Sequence, residues 1–146
     1  MLGRTASSLF WMTRYMERAE NIARLTQVGH RISITPDSTG GYREDWKSTL
    51  ASAGCLNAFT ARGTKLTAAE AQRFLVFDRE HSSSIRACLE AARNNGRSVR
   101  TALTRKMWEA LNSTWIAFSA IDPANVGPGA MAEPLDWVRQ RSGQFR

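Results

Sequence analysis

Apolar positions along this chain recur at intervals of three and four residues, the spacing of one helix face. The pattern predicts a first helix from about Thr5 to Ser8 as far as Val28, with Ser7 or Thr5 as its cap and Gly29 as its stop. Turn formers crowd Thr35 to Gly41 and predict a loop. A short helix follows over Glu44 to Ala53, carrying Trp46, Leu50 and Ala53 on one side and ended by Gly54. Residues 55 to 66 favour no element. Thr67-Ala68-Ala69-Glu70 is a capping box opening a helix that bears Phe74, Leu75 and Phe77. Ser82 or Ser83 then caps a helix with Ile85, Cys88, Leu89, Ala92, Val99 and Leu103 at helical spacing, and Gly96 predicts a weakened, bent stretch within it. A fifth helix from Arg105 to Ala120 carries Met107, Trp108, Leu111, Trp115 and Phe118, and Asp122-Pro123 stops it. A last helix starts near Pro134 with Leu135, Trp137 and Val138. Strand signals are scarce. The expected fold is all-α, a single domain built as a bundle of about five or six helices.

The first helix holds the least ordinary pattern, Arg14-Tyr15-Met16-Glu17-Arg18-Ala19-Glu20-Asn21. Projected at about 100° per residue, Trp11, Met12, Tyr15, Met16, Ala19, Ile22 and Ala23 form a wide apolar face. Thr13, Glu20, Arg24 and Gln27 fall opposite, as a solvated face should. Arg14, Arg18 and Asn21 instead share a flank with the apolar Phe10, Leu25 and Val28, with Glu17 between that flank and the polar side. Charge enclosed there would be costly unless each group is paired, and Arg14–Glu17 and Glu17–Asn21 are spaced to pair. Three readings follow: a structural ion-pair network, a merely solvated flank, or a binding or catalytic cluster with Glu17 as its acid or base.

Charge widens this picture. Seventeen arginines and three lysines against thirteen acids give a net charge of +7, which invites a polyanionic partner. No basic block and no nucleic-acid-binding motif accompanies it, so nucleic acid is not the expected partner. A second stripe, Arg86, Glu90, Arg93, Arg97 and Arg100, occupies one helix face and could face the first helix, supplying Glu17 with arginine partners and leaving excess positive charge for a carboxylate or phosphate. Asp78 and Ser83, at the serine-rich helix start, are candidates for a helix cap or an anion site. Cys55 and Cys88 sit in apolar contexts, His30 and His81 are far apart, and no spacing suits zinc. Reduced thiols, the lack of a good signal peptide at Met1–Met12 and the lack of an apolar membrane span lead to the cytoplasm as the expected compartment. No motif calls for a metal or a cofactor.

The stretch Met1 to Leu25, MLGRTASSLFWMTRYMERAENIARL, closely resembles the opening of the bacterial alpha-E family, a helical family named for a Glu-Arg motif that Glu17 and Arg18 match. The likeness continues in Trp46, in Phe74–Ile85, in Ala91–Arg100 and in Met107–Asn112. Asn94 and Gly96 depart from the usual glutamate and alanine, and His81 from a frequent asparagine. The resemblance implies a unit about twice this length, of which the chain would be the N-terminal half. An apolar face left by a missing half predicts a homodimer. The family's association with ATP-grasp ligase-like and transglutaminase-like proteins implies a system that makes or modifies peptide or amide bonds. The expected function is an accessory binding module in such a system, with Arg14, Glu17, Arg18, Asn21, Arg93, Arg97 and Arg100 binding a carboxylate-bearing ligand or stabilising the bundle. The alternatives are an enzyme of amide chemistry using Glu17 and a nucleic-acid-binding bundle.

Overall fold

The computed structural model describes residues 2–33, 41–123 and 132–143. The described residues are all-α, as the periodicity predicts. Their helices are α1 (Leu2–Ser33), α2 (Gly41–Ser52), α3 (Leu56–Ala61), α4 (Ala68–Val76), α5 (Ile85–Ser98), α6 (Arg105–Ser119) and α7 (Ala132–Gly143). A single 3-10 turn, Arg100–Ala102, joins α5 to α6. The loop predicted over Thr35 to Gly41 lies mostly outside the described residues.

At 32 residues and about 1.5 Å per residue, α1 is a rod roughly 48 Å long. It packs most extensively on α5, then on α7 and α2. Its buried stripe is Met12, Met16, Ala19, Ile22 and Ala23. These meet Trp46 and Leu50 of α2, Leu75 of α4, Ile85, Cys88, Leu89 and Ala92 of α5, Leu111 and Phe118 of α6, and Leu135 and Val138 of α7 in one core. Fully burying side chains of this size contributes about 1.5–3 kcal/mol each.

Several expected boundaries move, each for a reason of packing or capping. The first helix begins at Leu2 and runs through Gly29 to Ser33. Gly29 does not stop it. A Cβ there would stand 2.6 Å from Thr49 Oγ1 and 3.0 Å from Trp46 Cζ3, so glycine is needed where α1 and α2 touch. Gly96 likewise lies inside a continuous α5: its Cβ would collide with Leu111 Cδ2 and stand 3.2 Å from Met12 Sδ, at the crossing of α5 with α6 and α1. Residues 56–61, unassigned from sequence, form α3. Thr67 caps α4, its hydroxyl accepting the Glu70 N–H at 3.2 Å, while the Glu70 carboxylate turns to Arg73 at 3.4 Å. The cap of α5 is Ser84, accepting the Ala87 N–H at 3.1 Å, and not Ser82 or Ser83. Val99 falls at the end of α5 and Leu103 after the 3-10 turn, so the predicted fourth stripe is broken there.

Candidate functional site

The polar residues of α1 do not form one enclosed cluster. Arg14 and Glu17 pair at 3.2 Å, and each side chain is about half exposed (54% and 51%). This is the solvated-flank reading of their stretch, and the apolar residues that suggested enclosure, Phe10 and Val28, are themselves 55% and 46% exposed. The opposite side, read as solvated, is covered in part, although Arg24 there is exposed. Glu20 is buried and accepts from Arg24 at 2.6 Å. Gln27 reaches α7, donating to Asp136 at 2.8 Å and accepting from Arg139 at 2.9 Å. The second arginine stripe does not partner Glu17 either. Arg93 Nε donates to Asn112 of α6 at 3.0 Å, Arg100 lies over the Trp108 ring at 5.3 Å, and Arg97 is exposed.

What the fold does bring together is Arg18, Asn21 and Ser83. They line a cleft of 530 Å³ with Ile22, Arg24 and Leu25 of α1 and with Ser52 and Ala53 at the end of α2. Arg18 and Asn21 are one turn apart and so share the shoulder of α1. Ser52 and Ala53 arrive because Gly29 lets α2 close onto α1. Ser83 is positioned by a knotted turn between α4 and α5. There the Asp78 carboxylate accepts from Arg62 at 2.6 Å and from the His81 N–H at 2.7 Å. Ser84 Oγ donates to the Asp78 carbonyl, and His81 stacks on Phe74 with ring centroids 4.4 Å apart. Asp78 is therefore fully engaged in holding the turn, while Ser83, released from capping, faces the cleft.

Arg18 is half-buried, with its guanidinium over the Tyr15 ring at 5.4 Å. Among the described residues no carboxylate lies within ion-pair distance of it. Its charge reaches inward to the Cys88 thiol, which burial nevertheless pushes up to about 11, with Arg18 acting against the shift. Burial alone pushes the Cys55 thiol up to about 11. Both cysteines are unpaired, buried and neutral, which suits core packing and not nucleophilic attack. Burial also holds the His81 imidazole below its ordinary value; Asp78 opposes that shift and Arg62 adds to it. Among the described residues no group of three His, Cys, Asp or Glu side chains could hold a metal ion, and no helix is long and apolar enough to cross a membrane.

The cleft thus offers the Arg18 guanidinium, one amide and two serine hydroxyls, while its second guanidinium, Arg24, is already held by Glu20. That is a donor-rich concavity for a carboxylate, recognised through charge-assisted hydrogen bonds. A larger cleft of 630 Å³ opens between the start of α1 and the end of α5, but its lining of Arg4, Thr5, Ser8, Ser98 and Val99 converges on nothing comparable. Sequence reasoning missed Arg24 and Ser52. The i,i+3 relation of Arg24 to Asn21 was a signal for the first, whereas Ser52 enters only through the α1–α2 contact.

No curated protein and no solved structure matches the chain. A family match does exist, to Alpha-E, described as a predicted alpha-helical domain with a conserved ER motif. It runs over residues 1–146, the whole chain. The sequence contains one Glu-Arg dipeptide, Glu17-Arg18, so the motif falls where α1 carries an outward ion pair on one residue and a cleft-lining guanidinium on the next. With its helices, its motif and its full span accounted for, the chain belongs to the Alpha-E family.

Proposed function

We propose that this chain is an accessory binding module that holds a carboxylate-bearing ligand in the cleft beside its Glu-Arg motif. The observation that carries this reading is Arg18: a half-buried guanidinium with no carboxylate partner among the described residues, next to Asn21 and Ser83. A cation withdrawn partly from water and left unpaired gains most from an incoming anion, because its desolvation is already complete in part. Glu17, the residue an enzymatic reading would need, is half exposed and paired with Arg14 away from the cleft lining. The ligand fits a peptide or amino-acid carboxylate, in keeping with a partner of the ATP-grasp ligase-like or transglutaminase-like kind and an amide-bond system. Exposed Phe10, Trp11, Val28 and Ile32 along α1 support a second copy of the chain as a further partner. Two buried unpaired thiols suit the cytoplasm.

Calorimetric titration with a short peptide bearing a free α-carboxylate, and with its C-terminal amide, tests the site. The carboxylate peptide binds, the amide binds at least about tenfold more weakly, and Arg18→Gln removes the difference while circular dichroism stays native. Equal binding of the two peptides, or none of either, overturns the reading.

A further inference from the structure

The arginines of α5 that fail to reach Glu17 are organised by α6 instead. Three rungs run down the groove between these antiparallel helices. Arg86 lies over the Trp115 ring at 5.7 Å, Arg93 Nε donates to Asn112 Oδ1 at 3.0 Å, and Arg100 lies over Trp108 at 5.3 Å. Residues 108, 112 and 115 share one face of α6, and 86 and 93 share one face of α5, so the rungs follow from two helical periodicities meeting. Arg97 adds an exposed guanidinium to the same row. Among the described residues none of these four arginines is within ion-pair distance of an acid. Glu90 is the acid within the row and makes no ion pair there, and Glu109 of α6 is taken by Arg105 at 3.0 Å. The row therefore carries a net +3 from four arginines and one glutamate. Trp108 and Trp115 are half-buried beside it, and Ile116, on the same side of α6, is 57% exposed.

We propose that this α5–α6 face docks an acidic α-helix of a partner protein. Arg86 and Arg93 are two turns apart, about 10.5 Å along the axis, and Arg97 lies one turn further, about 6 Å on. A helix laid alongside with carboxylates seven and four residues apart repeats that rise and meets each guanidinium in turn. Trp108, Trp115 and Ile116 supply the apolar ground that a stable interface requires. Tryptophan and asparagine hold three of the four arginines in place before the partner arrives, which lowers the ordering cost of pairing. A single-stranded nucleic acid fits less well. Its binding grooves present free aromatic faces to the bases, whereas here guanidinium groups lie over both indole rings.

Fluorescence titration with a stapled helical peptide tests the proposal. The probe carries glutamates at the matching seven- and four-residue spacing; one control has the same composition with glutamates spread around the helix, and another is a single-stranded oligonucleotide. The matched peptide binds at low salt, the scrambled peptide binds at least tenfold more weakly, and Arg93→Gln or Arg97→Glu lowers affinity for the matched peptide at least fivefold. Arg97→Glu alters an exposed side chain, so it remains informative if Arg93→Gln impairs folding. Lys106→Gln, on the same helix pair but outside the row, leaves affinity unchanged. Equal binding of matched and scrambled peptides, tighter binding of the oligonucleotide, or an undiminished Arg97→Glu variant overturns the proposal. These residues are separate from Arg18, so the outcome leaves the cleft reading untouched.

Discussion

Gly29→Ala places one methyl group between α1 and α2, and its effect can be worked from three distances. The new Cβ would stand 2.6 Å from Thr49 Oγ1, 3.0 Å from Thr49 Cγ2 and 3.0 Å from Trp46 Cζ3. Neither neighbour yields easily. Trp46 is fully buried, and Thr49 is β-branched with a stiff χ1. Overpacking of this kind costs about 1–3 kcal/mol, and two rigid neighbours at once place the cost toward the upper end of that range. Replacing a mid-helix glycine by alanine returns about 1 kcal/mol. The net expectation is a loss of about 1–2 kcal/mol, which for a chain of this size lowers Tm by roughly 3–8 °C. Urea unfolding followed by circular dichroism measures it, with an unchanged m value showing that stability alone has moved. Gly3→Ala is the internal control: it lies in the same helix with nothing within 4 Å of its Cβ, so it is neutral or slightly stabilising. If both substitutions stabilise alike, the close approach of α1 and α2 is wrong. Because Ser52 and Ala53 reach the cleft through that approach, Gly29→Ala also weakens binding of a carboxylate peptide there.

Other expectations rest on separate parts of the fold. Glu17→Gln changes stability by no more than about 0.5 kcal/mol, since it breaks an exposed ion pair, whereas Glu20→Gln, on a buried carboxylate, costs about 1–2 kcal/mol; urea titration of the two side by side checks the contrast, and the reverse order refutes it. Cys55 and Cys88 resist thiol reagents at pH 8 and react once the chain is unfolded. Their folded pKa values lie near 11 against an ordinary 9.0, so the unfolded chain loses protons first and stability falls as pH climbs through that window. His81 behaves in the opposite sense: the unfolded chain takes up a proton below about 6.5 that the native imidazole refuses, so stability falls as pH drops through that value, and His81→Asn flattens the profile.

The helix pattern was legible because burial and period agree. Met12, Met16, Ala19, Ile22 and Ala23 all lie where a 100° projection puts them. The projection went wrong on polarity. It read Glu20 and Gln27 as solvated because they are polar, but a helix more than a hundred residues later closes over that side and supplies Asp136 and Arg139 as partners for Gln27. Phe10 and Val28 misled in the converse way, since exposed apolar residues are common and mark no interior by themselves. Within the site, Arg18, Asn21 and Ser83 could be nominated from sequence, the first two by shared helix face and the third by its place at a helix start. Their meeting could not, because it depends on how tightly two glycines let helices approach. Gly29 and Gly96 announce only a weak helix or a stop until the neighbouring atoms are known.

The hydrogen bonds from Gln27 to α7 bear on biosynthesis. During translation the first and longest helix leaves the ribosome with one side unsatisfied, and the segment that covers it is made 109 residues afterwards. At elongation rates of about 5–20 residues per second, the nascent chain waits roughly 5–20 seconds in that state. Chaperone engagement should therefore concentrate on α1, and a stall introduced before α7 should raise aggregation far more than one introduced after it.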